Sequence, residues 1–201
     1  MNENNKLIDF NSNPFSLFER WYDEANQKEI NDPNAMNLAT ISENQKISSR
    51  MVLLKSFNEN GFVFFTNENS KKGKSINFNS YVSLNFHWKS LRRQIRIEGL
   101  ATKISSKASD DYFDSRPMES KIGAWASKQS EYLQDRKDLE NDIVKYKNQF
   151  NKVHITRPPY WLGYNVKPVL IEFWQEMPFR LHDRIEYIKK NDKWTSRKLY
   201  P

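Results

Sequence analysis

The strongest constraint on the fold is a run of short, strand-patterned segments separated by polar links too brief for a helical crossover. AMNLATIS from Ala35, ISSRMVLLKSF from Ile47 and GFVFFTN from Gly61 follow one another across Ser42-Glu43-Asn44 and Asn58-Glu59-Asn60-Gly61. Parallel neighbours need a crossover of roughly a dozen residues, whereas antiparallel ones need only a tight turn, so these links predict an antiparallel meander. The same rhythm returns in YVSLNFHW, RRQIRIEGLATKIS, VLIEFWQ, RIEYIKK and KWTSRKLYP. Together these runs predict a closed or nearly closed antiparallel sheet.

Helices are expected as additions to this mainly β chain. Asn13-Pro14 offers a cap and a proline at the first helical position, and Phe15, Phe18, Trp21 and Ala25 recur at near-helical spacing to about Ile30. Ser70 to Phe78, Ala108 to Ser115 and Asp135 to Phe150 read as further helices, the second stopped by Arg116-Pro117. Thirteen Phe, nine Tyr and six Trp supply a core although only 37% of residues are hydrophobic. One domain over residues 13–201 is expected, preceded by an Asn-rich mobile arm over residues 1–12.

Cysteine is absent, which excludes disulfides, thiolate metal sites and a cysteine nucleophile, and three His make a zinc site improbable. No stretch approaches the ~18 apolar residues that span a bilayer, and MNENNKLIDFNSNPF lacks the features of a signal peptide, so a soluble, cytoplasmic protein without membrane contact is expected. With five Gly, neither a dinucleotide fingerprint nor a phosphate loop occurs. A net charge of +7 favours anionic partners, and any phosphate must therefore be held by side chains and helix ends.

The cations consequently mark the candidate sites. Arg50 and Lys55 bracket MVLL and, five apart in a strand, point to opposite faces; solvated strand edges are the commoner reading for such residues. Ser70-Lys71-Lys72-Gly73-Lys74 crowds three Lys at a helix start, where the macrodipole favours acids, as suits a bound anion or a solvated patch equally. Tyr112, Arg116 and Ser120 lie four apart and are three phosphate-competent donors, although Ser120 also suits a helix cap. Arg180-Leu181-His182-Asp183-Arg184 projects three basic groups to one face if it is a strand, an arrangement that needs a compensating anion. LRRQIR beside Phe86, His87 and Trp88 makes an RNA-binding stripe conceivable without supplying an RNA-binding motif.

Taken in order, RMVLLK, VFFTN, SKKGKSI, RRQIRIEG, YFDSRP, SKIGAWASKQS, IEFWQ and RLHDR resemble the pyridoxamine 5'-phosphate oxidase family from about Phe15 to Pro201. The resemblance implies an FMN-binding, antiparallel split β-barrel that works as a homodimer with its sites at the subunit interface. It implies oxidation of pyridoxamine or pyridoxine 5'-phosphate to pyridoxal 5'-phosphate, with hydride passing from substrate C4' to flavin N5 and dioxygen reoxidising the flavin to give hydrogen peroxide. Carried over by motif, Arg50, Met51, Val52, Leu53, Leu54 and Lys55 line FMN, with Arg50, Lys71 and Lys72 on its phosphate. Phe65, Thr66, Gln94, Gln129, Ser130, Trp174 and Arg184 complete the flavin pocket. Lys55, Tyr112, Arg116 and Ser120 hold the substrate phosphate, and Arg180, Leu181 and His182 lie at the substrate ring, with Arg180 and His182 as the catalytic pair.

Phe65 stands where many members of that family have Tyr, and Lys71 and Lys198 stand where Arg is usual. The segment KLIDFNSNP lacks the Arg-rich run that reaches over the substrate in some members, which argues against a lid role. Two rivals are a non-catalytic carrier of pyridoxal 5'-phosphate or flavin and a nucleic-acid-binding module. The motifs that point to flavin (Gln94, Trp174 and Arg184) weigh against the first, and the site arrangement gives the second no support.

Overall fold

The computed structural model describes residues 7–10 and 13–201. Asn13 caps helix α1 (Pro14–Lys28), its side-chain oxygen accepting the Phe15 N–H. The apolar stripe of α1 is buried, and Phe18 meets the rings of Phe57, Phe62 and Phe86 edge-on at 4.8, 4.9 and 5.4 Å. Strands β1 (Ala35–Ile41) and β2 (Ile47–Leu53) form the first hairpin, pairing Ala35 with Leu53 and Ile41 with Ile47. Burial alternates along β1, with Met36, Leu38 and Thr40 inward.

The expected three-strand meander stops at this hairpin. ISSRMVLLKSF breaks at Leu54-Lys55, where the Leu54 N–H donates to Asn34 O and the Lys55 N–H to Val63 O. The chain then forms a second hairpin, β3 (Ser56–Asn58) with β4 (Gly61–Asn67), and β4 pairs with β7 rather than with β2. Arg50 and Lys55 thus lie on either side of a strand break. Helix α2 (Lys71–Phe78), capped by Ser70, leads into β5 (Tyr81–Trp88) and β6 (Arg93–Lys103). Helices α3 (Ser106–Asp114), α4 (Met118–Ala126) and α5 (Arg136–Gln149) precede β7 (Trp161–Gln175), and β8 (Asp183–Lys190) and β9 (Lys193–Lys198) close the chain.

The sheet is antiparallel throughout, in the order β2-β1-β5-β6-β7-β4-β3, with β8 also on β7 and β9 on β8. Strand β7 begins at Trp161 rather than at the expected Val169, and it divides the sheet. One edge follows β6 along its length; the other pairs residues 161–166 with β4 and residues 170–175 with β8. The division falls at Pro168, which carries no N–H for a ladder and lies opposite Gly99 at a register shift. A Cβ at Gly99 would stand 2.3 Å from Lys167 O, so the bulge admits no side chain. The mainly β, antiparallel architecture with added helices is the one expected.

Most of the core lies between α1 and the sheet. A second cluster, Phe113, Ile122, Ile155 and Trp161, sits under α3 to α5. Of the expected N-terminal arm, residues 1–6 and 11–12 lie outside the described residues; Ile8 is buried and its N–H donates to Asp183 Oδ2 at 2.8 Å. Among the described residues no helix is long and apolar enough to cross a membrane.

Candidate functional site

A cavity of about 630 Å³ opens where β2 and β4 face α3 and α4. Met51, Val52, Leu53 and Lys55 form one wall, Phe65, Thr66, Asn67 and Lys72 a second, and Tyr112, Arg116 and Ser120 a third. The last three are brought together by a change of helix, since α3 ends at Asp114 and α4 starts at Met118. Ser120 therefore lies inside the first turn of α4, whose N-cap position is Pro117. The rings of Phe65, Tyr112 and Trp161 are nearly parallel, with Phe65 4.0 Å from Tyr112 and 5.1 Å from Trp161 between centroids. Phenylalanine at position 65 fits this stack without a hydroxyl to satisfy.

The cavity's cations carry no carboxylate partners: among the described residues, no ion pair joins Arg50, Lys55, Lys72 or Arg116 to an acid. Lys72 Nζ is buried and donates to Gln129 Oε1 at 2.9 Å and to Thr66 Oγ1 and Ser70 Oγ at 3.2 Å. Burial, and secondarily the charge of Arg50, push its ammonium down to about 8. Arg50 donates to Leu38 O, Thr40 Oγ1 and Ser48 Oγ, and burial lowers its own value. The Arg116 guanidinium lies 4.6 Å over the Trp161 ring; burial lowers it too, and its buried Nη1 has no hydrogen-bond partner among the described residues. A buried donor without a partner is costly, and several unpaired cations around one cavity repel one another, so the arrangement is complete only with an anion in it. This donor set fits phosphate.

A second group of the predicted residues lies apart from this cavity. Gln94, Trp174 and Arg184 occupy one row across β6, β7 and β8, and none of them lines the cavity. The Trp174 and His182 ring centroids are 4.6 Å apart, and His182 Nδ1 accepts the Met177 N–H at 3.3 Å. Arg180 and His182 do not share a strand face with Arg184, as a continuous strand would require, because β8 starts only at Asp183. Arg180 ends a 3₁₀ turn, Pro178–Arg180, in which Phe179 and Arg180 both have φ near +60° (59° and 62°). Such backbone is uncommon for side chains other than Gly, Asn and Asp.

Three other residues sit elsewhere. The Leu54 side chain is in the main core, and Lys71 is exposed over a separate depression with Ser42, Glu43 and Phe78. Ser130 is exposed beside Gln129, with φ of 74°. Asn67, Pro117, Gly123, Ala124, Ser127 and Trp161 line the cavity without having been singled out from the sequence. The run IGAWASKQS held the signal for Gly123 to Ser127; Trp161 had none, because the start of β7 was not legible.

Residues 22–150 match the family model described as pyridoxamine 5'-phosphate oxidase, and residues 161–201 match the one described as pyridoxine 5'-phosphate oxidase C-terminal dimerisation region. The pyridoxine/pyridoxamine 5'-phosphate oxidase of Bartonella quintana is 53% identical over 94% of this chain and 92% of its own. That of Haemophilus influenzae is 50% identical over 96% and 91%. Among solved structures, PhzG from Burkholderia lata 383, in complex with tetrahydrophenazine-1-carboxylic acid, matches with a TM-score of 0.91 and 28% identity over 98% of this chain and 100% of its own. A pyridoxamine 5'-phosphate oxidase-related, FMN binding protein from Nostoc punctiforme shares the fold, with a TM-score of 0.74 at 17% identity over 96% and 100%. The antiparallel split barrel, the order of the motifs and the extent of these matches place the chain in the pyridoxamine 5'-phosphate oxidase family.

Proposed function

We propose that the chain is an FMN-dependent oxidase that converts pyridoxamine or pyridoxine 5'-phosphate to pyridoxal 5'-phosphate. The observation that carries this is the cavity lined by Lys55, Lys72 and Arg116, cations that no acid among the described residues compensates, with Arg50 close behind Lys72. FMN and the substrate each bring a phosphate dianion to such a site. The relatives named for this activity cover nearly the whole chain at about half identity.

FMN, when bound, would supply the two-electron acceptor for the hydride lost from substrate C4' and would let dioxygen take up those electrons as hydrogen peroxide. The chain's residues bind, orient and stabilise charge. Arg50 and Lys72 hold the flavin phosphate, with Thr66 and Gln129 fixing the Lys72 ammonium. Lys55, across the cavity, and Tyr112, Arg116 and Ser120 of the third wall hold the substrate phosphate. Met51, Val52 and Leu53 offer backbone and apolar contact along the flavin, and Gln94, Trp174 and Arg184 hold its ring. Arg180 and His182 lie over the substrate ring, where Arg180 stabilises the charge that develops as hydride leaves. The protein is a cytoplasmic homodimer, so that the cavity of one protomer is completed by the Arg180 to Arg184 group of its partner. Strand β2, which has no buried residue in the protomer and exposes Met51 and Leu53, supports that assembly, as does the match of residues 161–201 to a dimerisation region.

The test is phosphate discrimination. Pyridoxamine 5'-phosphate is expected to turn over with kcat/KM at least about a hundredfold above that of unphosphorylated pyridoxamine, since two charge-assisted contacts are each worth about 1.5–3 kcal/mol. Equal kcat/KM for the two compounds would remove the cation cluster from substrate recognition. FMN and pyridoxamine 5'-phosphate binding with no turnover would make the chain a carrier.

A further inference from the structure

Glu172 is a buried carboxylate, 3% exposed, in the C-terminal part of β7, and the proposed chemistry gives it no role. It stands opposite Arg96 of β6 and Glu186 of β8, on the sheet face that also carries Gln94, Trp174 and Arg184. Its Oε1 accepts from Arg184 Nε at 2.7 Å and lies 2.6 Å from Arg184 Nη2; its Oε2 accepts from Arg96 Nη2 at 2.6 Å. Arg96 also reaches Glu98 at 3.1 Å, and Glu186 is matched by Arg197 at 2.6 Å. Each acid on this face thus meets a base, in contrast to the uncompensated cations of the cavity.

The bonding of Arg184 is specific. A guanidinium has five N–H groups. Nε donates to Glu172 Oε1, Nη2 lies within ion-pair distance of the same oxygen, and Nη1 donates to Tyr200 O at 2.9 Å. The remaining N–H groups are on the terminal nitrogens, and the rotamer that aims them is held from both sides. A partly buried arginine held this way recognises a neutral acceptor edge rather than a phosphate, because Glu172 already offsets its charge.

We infer that Glu172 is a positioning residue for the flavin-ring part of the site: it fixes the Arg184 guanidinium so that the remaining N–H groups of its terminal nitrogens face the carbonyl edge of the isoalloxazine, and it leaves phosphate recognition to the cations without acidic partners. This rests on the flavin reading above. It divides the site electrostatically, with compensated arginine at the ring and uncompensated cations at the phosphates.

The test is a double-mutant cycle read by quenching of FMN fluorescence as FMN is titrated into apoprotein. Glu172→Gln in the native background is expected to weaken FMN binding about tenfold, and the same change on top of Arg184→Ala less than about twofold. Equal losses in both backgrounds would show that Glu172 acts on the fold and not through Arg184, and no loss in the native background would overturn the inference outright. Arg184→Lys, which keeps the charge without the fork, gives an independent check if Glu172→Gln does not fold. It is expected to weaken FMN, and native-like affinity would refute a role for the fixed fork. If the native apoprotein itself fails to bind FMN, the flavin reading falls together with this inference; if it binds and only the cycle fails, the positioning role alone falls.

Discussion

Replacing Arg116 with Ala separates the two phosphate sites. The guanidinium is half-buried, sits 4.6 Å over Trp161 and 5.6 Å from Phe113, and has a buried Nη1 without a hydrogen-bond partner among the described residues. A charge-assisted pair with the substrate phosphate is worth about 1.5–3 kcal/mol. At 1.4 kcal/mol per tenfold, this predicts a KM for pyridoxamine 5'-phosphate raised about 10- to 150-fold, where KM tracks binding. FMN affinity should change by no more than about twofold, because the proposed ligands of that phosphate, Arg50 and Lys72, lie on separate elements. The fold should lose little. The cation–π contact contributes about 0.5–2 kcal/mol, and its loss is partly offset by removing an unpaired, desolvated donor, so Tm should fall by only a few degrees. Arg116→Lys should lie between native and Ala, keeping charge but losing the planar fork. Steady-state kinetics with saturating FMN, beside fluorescence titration of FMN, measure both quantities. An unchanged KM, or parallel weakening of FMN and substrate, would refute the assignment.

Two further outcomes follow from the same geometry. Lys72, held at about 8 by burial and by Arg50, is charged in the apoprotein below that pH and increasingly neutral above it. A bound dianion favours its charged form, so FMN affinity should be highest below about pH 8 and fall by up to about tenfold per pH unit above it; a flat profile to about pH 9.5 would remove Lys72 from the phosphate site. Arg180→Ala should keep its FMN and its fold while losing most turnover, and near-native kcat/KM would exclude Arg180 from the mechanism.

Element types were legible wherever local chemistry decides them. Asn13 and Ser70 cap α1 and α2 as their positions suggest, and β1 and β5 bury alternate residues. Partner choice was not legible, because it depends on residues far along the chain. Nothing in MVLLKSF announces that Leu54 turns into the core or that β4 prefers β7, and Gly163 and Pro168 disguise a 15-residue strand as a loop followed by a short one. Helix α4 was hidden behind Arg116-Pro117, although that break is what lets Arg116 and Ser120 face one cavity. Most of the cavity-lining cations and donors could be found by motif, whereas their placement around one cavity and the lack of acidic partners among the described residues are tertiary properties. Lys71 shows the limit of adjacency: one residue from Lys72, it lies on a different surface of α2.

Anaerobic addition of pyridoxamine 5'-phosphate to the FMN-reconstituted protein, followed by admission of oxygen, tests the central claim most directly. The account predicts bleaching of the flavin absorbance without oxygen, then its return together with pyridoxal 5'-phosphate and hydrogen peroxide. Flavin that binds and stays oxidised in the presence of substrate would contradict it.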